Sequence, residues 1–431
     1  MFKKIITSLL EHQTKRLLRQ HRPRVIAITG SVGKTSTKLF TATVLGLHYR
    51  VLAHEENHNS EISIPLSIFE IELPDQLKNP FSWLQILWYT QRRIRQPFNY
   101  DVIVVELGTD HPGDIARFRK YLKPDIAIVT AVAIEHMEFF KTIEAVAKEE
   151  MAVVGFSDVA LLGHDDIDPR FMQYAKGNQL IDYGLKQEAE YHYTIETYTP
   201  EQGFTGKFVS PEFGEMPVTL QLIGEHNVKS AVAAGAVAAR LGLSAGEIVA
   251  GMQRIRPISG RMQLLRGMDG SLIIDDTYNS SPQAAFAALY TLYAFPAKQR
   301  IAILGSMNEL GASSKSAHED VGFSCDPTKL EWVVTVGAEA EQYLAPAAAS
   351  RGCQVRSFQT PYEAGTFVHQ VLRAGAVILA KGSQNRIFTE ETVKMLLHDT
   401  EDEHKLVRQS PKWLEIKRKQ FDKTVMPLID E

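Results

Sequence analysis

Residues 25–36 read Val25-Ile26-Ala27-Ile28-Thr29-Gly30-Ser31-Val32-Gly33-Lys34-Thr35-Ser36, an apolar run that breaks at two glycines and resumes in residues able to start a helix. The run predicts a buried strand over 25–29 and a helix from Lys34, joined by a short glycine-containing loop. Such a loop binds phosphate. Glycines let backbone N–H groups approach phosphate oxygens, the helix N-terminus favours an anion, Lys34 can reach terminal phosphates and Thr35 can ligate Mg²⁺. Gly30, Ser31, Gly33, Lys34, Thr35 and Ser36 are therefore candidate nucleotide-binding residues. The usual eight-residue pattern has glycine at position 28, where this chain has Ile28.

Working outward, a second apolar run, Val102-Ile-Val-Val-Glu106, delivers a carboxylate at a strand's C-terminal end, where a parallel sheet would place Mg²⁺. A third, Asp125-Ile-Ala-Ile-Val-Thr130, is followed by His136, which the same sheet edge could present as a metal ligand. Lys148, on the next predicted helix beside Glu149 and Glu150, reads from spacing alone as a solvated lysine. Short β-rich runs alternating with helices predict an α/β fold: a parallel sheet covered on both faces. Between Tyr191 and Leu222 the period shifts towards two, with Gly203, Gly206, Pro211, Gly214 and Pro217 as breakers, which predicts a small antiparallel edge sheet. An Ala-rich helix, Val228 to Leu241, follows.

After Pro257 and Gly260 a second alternating series begins, with strands near Leu272–Asp275, Arg300–Leu304, Trp332–Val336 and Ala376–Ala380, the pattern of a Rossmann-like C-terminal domain. The organisation read from the sequence is a basic amphipathic leader over 1–23, a central domain over 24–257, a C-terminal domain over 258–397 and a charged tail over 398–431. Three polar clusters, Gly224-Glu-His226-Asn227, Asp275-Asp276-Thr-Tyr278-Asn279 and Lys381-Gly-Ser383, sit at strand or helix ends and are suggestive only together; His226 or Asn227 alone reads as a helix cap.

The chain has 431 residues, and 47 Lys+Arg against 51 Asp+Glu give a formal charge of −4, which argues against a generally basic nucleic-acid binder. Two cysteines, Cys325 and Cys353, argue against a disulfide-stapled secreted fold and make a reducing cytoplasm the default. No run approaches the ~20 apolar residues of a membrane helix. The leader places Phe2, Ile5, Ile6, Leu9, Leu10, Leu17 and Leu18 at helical spacing among Lys3, Lys4, Lys15, Arg16 and Arg19, and Pro80–Phe98 repeats the basic amphipathic pattern. Attachment to an anionic membrane surface is one reading. A helix packed on the domain that follows is the plainer one.

Taken in order, these residues resemble the Mur ligase family, and within it the branch that adds D-alanyl-D-alanine to UDP-N-acetylmuramoyl-tripeptide. The shortened loop T-G-x-x-G-K-T is that family's form and accounts for Ile28. Further matches are Asn57-His-Asn59-Ser-Glu61-Ile62, Glu106-Leu-Gly108 with His111-Pro-Gly113-Asp114, Thr130 to His136 continuing to Ala147-Lys148, Gly224-Glu-His226-Asn227, Gly260-Arg261, Asp275 to Asn279, and Leu304-Gly305 to Gly311 with His318.

The resemblance implies an ATP-dependent amide ligase of peptidoglycan precursor synthesis, working through an acyl phosphate; a cytoplasmic monomer is the accompanying expectation. It implies that Thr35, Glu106, His136 and a carbamylated Lys148 hold Mg²⁺, with Lys34, Glu106, His136 and Lys148 as the catalytic set. Asn227, with His226 beside it, Arg261, Asp276 and Asn279 would contact ATP; Asn57, Asn59, Glu61, Lys381 and Ser383 would contact the substrates. Members of this branch carry a further N-terminal domain that grips the UDP-sugar, for which this sequence offers only a helix ahead of Gly30. Gln384-Asn385 stand where the family continues Lys-Gly-Ser with arginine, leaving Arg386 as a substitute. Competing readings are an amide ligase with another substrate, polyglutamate- or cyanophycin-like, and a non-catalytic nucleotide-binding partner.

Overall fold

The computed structural model describes residues 2–54, 60–74, 79–177 and 179–421. Asn57 and Asn59 lie outside the described residues. The chain forms two compact units, residues 1–222 with 226–256, and residues 223–225 with 257–431.

The first unit holds strands β1 (Arg24–Thr29), β2 (Val51–Leu52), β3 (Val102–Glu106), β4 (Ile126–Val129), β5 (Val159–Gly163), β6 (Leu180–Gly184), β7 (Tyr191–Thr199), β8 (Gly203–Ser210) and β9 (Gly214–Leu220) in one nine-stranded sheet, ordered β2-β3-β1-β4-β5-β6-β7-β8-β9. Pairing is parallel from β2 through β7 and antiparallel across β7, β8 and β9, so the antiparallel strands extend the main sheet. Every residue of β3 and β4 is buried, as is all of β1 except Arg24. That is why these strands are continuous runs of Val and Ile: helices cover both faces, and no position faces water.

Those helices are α1 (Phe2–His21), α2 (Lys34–Leu45), α3 (Ser63–Ile68), α4 (Pro80–Ile94), α5 (Asp114–Phe118), α6 (Met137–Phe140), α7 (Ile143–Glu150) and α8 (Glu225–Arg240). α1 is a packed element of the unit. Leu17 joins the main core with Val25, Ile103 and Phe118, while Ile6 and Leu10 form a smaller cluster with Leu66 and Trp83.

The second unit carries β10 (Gln263–Arg266), β11 (Leu272–Asp276), β12 (Arg300–Gly305), β13 (Trp332–Val336), β14 (Val355–Phe358) and β15 (Val377–Lys381), ordered β10-β11-β15-β12-β13-β14. Only the β10–β11 pairing is antiparallel. Ile273, Ile301, Ile303, Val334 and Ile378 fill its core. The described part of the tail, residues 398–421, packs in this unit. Helix Pro411–Phe421 sends the buried Lys417 Nζ to Glu391 Oε1 at 2.5 Å and Glu390 Oε1 at 2.9 Å, and Arg408 donates to both oxygens of Glu390 at 2.8 Å.

Candidate active site

β1 is the strand about which the sheet order turns, with β3 on one side and β4 on the other, and ligand sites of open parallel sheets lie at the C-terminal ends of such strands. Here β1 leads through Gly30–Gly33 into α2, as the sequence predicts. Gly30 has φ 119°, and a Cβ there would stand 2.2 Å from Thr130 Oγ1, so no other residue fits without displacing β4's end. Thr130 in turn donates to Val32 O at 2.6 Å and Ser31 N donates to Ala131 O at 2.9 Å, pinning the loop to the chain leaving β4.

The first turn of α2 aims Thr35 at β3: its Oγ1 donates to Glu106 Oε2 at 2.9 Å. Both are buried, and Lys38 Nζ, one helical turn on and also buried, stands 3.5 Å from the same oxygen. The sequence reading missed Lys38; the i, i+3 spacing from Thr35 was the available signal. Lys34 Nζ donates to Gly30 O at 2.5 Å and lies 3.7 Å from Glu135 Oε2. Ser36 is buried beneath the loop. His136, in the left-handed conformation at φ 48°, caps α6 and approaches Asp110 at 3.9 Å.

Lys148 requires a correction. It is exposed, whereas Glu149 and Glu150 beside it are buried. Two residues along an α-helix is a rotation of about 200°, so the side of α7 that faces the loop presents Glu150, and Lys148 points to solvent. Glu150 Oε2 accepts from Gly30 N at 2.6 Å and its backbone oxygen accepts from Thr29 Oγ1 at 3.1 Å. Burial pushes this carboxyl up to about 8, Lys34 pulls it down, and the nearby Glu135 adds to the rise. Glu149 accepts from Gly113 N at 2.7 Å and Ile115 N at 2.6 Å, fixing the turn that starts α5. The metal role assigned to a carbamylated Lys148 therefore falls. Neither glutamate was singled out from the sequence, because only the packed phase of α7 separates them from their neighbour.

α8 begins beside the loop: a Cβ on Gly33 would come 3.6 Å from Ser230 Oγ, and Asn227, one turn earlier, is buried. His226 is half-buried, with its backbone oxygen accepting from Ser230 Oγ at 3.4 Å. Glu61 lies apart from the loop residues, 3.3 Å from Lys3 and 3.5 Å from Arg117. Among the described residues no cluster of three or more His, Cys, Asp or Glu side chains forms a ready metal cage. A hydroxyl and a carboxylate beside a phosphate loop nevertheless fit Mg²⁺, which takes one or two protein oxygens and completes its shell from phosphates and water.

In the second unit the predicted residues converge at the C-terminal ends of β11 and β15. Asp276 pairs with Lys381 in register, and Lys381 Nζ lies 2.6 Å from Asp276 Oδ2 and donates to Asn279 O at 2.9 Å. Ser383 Oγ accepts from Asn308 N at 2.9 Å and donates to Ser280 O at 3.4 Å. Arg261 lies over the Tyr278 ring at 4.1 Å. Arg386 has φ 68°, and its backbone oxygen accepts from Gln420 Nε2 at 2.7 Å.

Both units have counterparts among known proteins. Residues 28–238 match the Mur ligase middle domain and residues 260–384 the Mur ligase glutamate ligase domain, so the chain belongs to the Mur ligase family, whose members form amide bonds with ATP. Within the family it is similar to ligases of one branch. It is 28% identical over 327 residues to the UDP-N-acetylmuramoyl-tripeptide–D-alanyl-D-alanine ligase of Escherichia coli K12, covering 75% of this chain and 67% of that one. A MurF crystal structure from Acinetobacter baumannii superposes with a TM-score of 0.75 at 26% identity, covering 90% of this chain and 80% of that one. MurF of Thermotoga maritima in complex with ADP shares the fold at a TM-score of 0.75 and 23% identity, covering 92% of this chain and 84% of that one. The chain spans about two thirds of the length of the curated relatives it matches.

Proposed function

We propose that this chain is an ATP-dependent amide ligase that joins D-alanyl-D-alanine to UDP-N-acetylmuramoyl-tripeptide, a cytoplasmic step of peptidoglycan precursor synthesis. The observation that carries the reading is the Thr35–Glu106 pairing at 2.9 Å beside a phosphate loop, in a chain similar to ligases of that name.

A carboxylate resists attack by an amine. ATP therefore first transfers its terminal phosphoryl group to the tripeptide carboxylate, giving an acyl phosphate and ADP; the amine of D-alanyl-D-alanine then attacks the acyl carbon and phosphate leaves. Lys34 would exchange Gly30 O and Glu135 for the terminal phosphates, while the loop's backbone N–H groups orient them. Thr35 and Glu106, with His136 as a third donor, would hold Mg²⁺; Lys38 balances the buried Glu106 carboxylate. When bound, that cation neutralises charge building on the transferring phosphoryl group. Glu150 holds Gly30 in place from behind the loop.

Asn227, Arg261, Asp276 and Asn279 would contact the nucleotide, and Lys381 and Ser383 the substrates, with the Asp276–Lys381 pair keeping Lys381 oriented as a cation. Monomeric action and peripheral contact with a membrane's cytoplasmic face belong to the same proposal.

Mass spectrometry of a reaction containing the purified chain, ATP, Mg²⁺, UDP-N-acetylmuramoyl-tripeptide and D-alanyl-D-alanine, with each omitted in turn, tests this. A pentapeptide product that needs every component is expected. ATP hydrolysis stimulated instead by another acid or amine would move the assignment to a different substrate pair on the same scaffold.

A further inference from the structure

We propose that the seam between α1 and α4 docks the first unit on an anionic lipid bilayer. The two helices lie side by side with their numbering rising together: Gln13 Nε2 donates to Leu87 O at 3.2 Å, Arg16 Nη1 to Gln91 Oε1 at 2.9 Å and Gln20 Nε2 to Ile94 O at 2.8 Å. Their inner sides are used by the protein, through Ile6 and Leu10 of α1 and Trp83 of α4. Each helix then carries a second apolar stripe at the same i, i+3, i+7 spacing: Phe2, Ile5 and Leu9 on α1, and Phe81, Leu84 and Trp88 on α4. All six are between 43% and 74% exposed.

The stripes share one side of the seam. Leu9 stands seven residues ahead of Arg16 and Leu84 seven ahead of Gln91, and residues seven apart return to nearly the same helix face. Since Arg16 meets Gln91 across the seam, Leu9 and Leu84 flank the same edge two turns earlier.

Further along both helices the same faces become basic, with Arg16 and Arg19 on α1 and Arg92 and Arg95 at the end of α4. An interfacial helix lies in the plane of the membrane surface with its apolar face about 5–10 Å into the headgroup–acyl boundary, so side chains spaced along one face meet the same surface. One edge thus offers an apolar stripe for the acyl boundary and, further along the same edge, arginines for the phosphates of the headgroups.

The charge is local and complementary to such a surface. α1 has five Lys and Arg against Glu11 alone, and residues 80–95 have three arginines and no acid, on a chain of net charge −4. Glu11 is itself 3.8 Å from Lys120, Lys3 pairs with Glu61 at 3.3 Å, and Arg93 pairs with Glu70 at 2.8 Å. Lys4, Lys15, Arg19, Arg92 and Arg95 form no ion pair among the described residues. Arg92 lies 5.8 Å from the centre of the exposed Trp88 ring, an aromatic–cation pair suited to headgroup depth. No described helix is long and apolar enough to cross a membrane, so the attachment is peripheral. None of this depends on the ligase reading.

The test is co-sedimentation of the full chain with phosphatidylcholine vesicles, with and without phosphatidylserine. Binding to the anionic vesicles is expected, weaker by about tenfold or more on neutral vesicles or at ~0.5 M salt. Leu84→Glu with Trp88→Glu should abolish binding, and Arg92→Glu with Arg95→Glu, at exposed positions that the fold does not use, should remove the preference for anionic lipid. Both variants should keep the wild-type melting temperature and ATP turnover. Absence of binding to either vesicle, equal binding to both, or unchanged preference in the arginine variant overturns the proposal. So does a lipid-free dimer in sedimentation velocity that the Leu84/Trp88 variant dissociates, which assigns the face to a second copy.

Discussion

At the scale of single residues, the site is a set of buried and half-buried polar groups arranged so that each has a protein partner. Glu106 is met by Thr35 and Lys38, Lys34 by Gly30 O and Glu135, and Glu150 by Gly30 N. Lys34→Ala should abolish ATP turnover in a coupled phosphate-release assay while leaving the fold intact by circular dichroism. Gly30→Ala should weaken nucleotide binding by more than about tenfold, because a left-handed backbone and a clash with Thr130 are imposed together; calorimetric titration with a non-hydrolysable ATP analogue reads this. Lys148→Ala should leave ATP turnover within about twofold of wild type and insensitive to added bicarbonate, as befits an exposed surface side chain. Glu150→Ala, by contrast, strands the buried Gly30 N–H and should cost about 1–3 kcal/mol of stability in urea unfolding.

Asp275 makes a pH prediction. Burial pushes its carboxyl up to about 6; Thr277 opposes the rise, and Asp276 and Glu390 add to it. The folded state therefore holds this proton more tightly than the unfolded chain, so its contribution is complete below about pH 4 and is lost as pH rises through about 6. The loss is on the order of 3 kcal/mol at the limit. Asp275→Asn, which keeps an oxygen for the Thr277 hydroxyl at 2.6 Å, should flatten that dependence when urea unfolding is compared at pH 4 and pH 7.

At the scale of elements, legibility followed periodicity. β1, β3, β4, β11, β12, β13 and β15 each contain an apolar run of three or more residues, with their polar residues mostly at the strand ends, because a parallel strand buried on both faces has few polar positions to disguise it. β5 and β6 escaped notice: Val159–Gly163 offers only a short run of Val, Ala and Leu, residues as common in helices as in strands, and Leu180–Gly184 carries Asp182 within its few residues. The tail gave no signal at all, since its anchor is a buried ionic knot formed by residues far apart in sequence. Arg408 donates to Thr277 O at 2.6 Å and Tyr278 O at 3.0 Å as well as to Glu390, so the helix Pro411–Phe421 and the turn bearing Asp276 and Asn279 are tied together. Lys417→Met should cost about 3–5 kcal/mol, because it leaves Glu390 and Glu391 buried with one cation removed; the double change Lys417→Met with Glu391→Gln should recover part of that in thermal melts.

At the scale of the whole molecule, ligand binding should appear as stability. A non-hydrolysable ATP analogue at about a hundred times its Kd should stabilise the chain by about 2.7 kcal/mol, and Lys34→Ala should remove that shift in differential scanning fluorimetry. By itself the sequence determined the α/β class, the phosphate loop, Glu106 at a strand end and the resemblance to the Mur ligases, because each depends on neighbours along the chain: an apolar run, a glycine spacing, a helix start. Tertiary structure alone decided which of Lys148, Glu149 and Glu150 faces the loop, that Lys38 answers Glu106, that the tail grips the Asp276 turn, and that two amphipathic helices leave paired stripes outward. Each of these is a choice of facing, set when helices are packed against a sheet at a particular rotation, and a rotation of two residues turns a buried ligand into a solvated lysine.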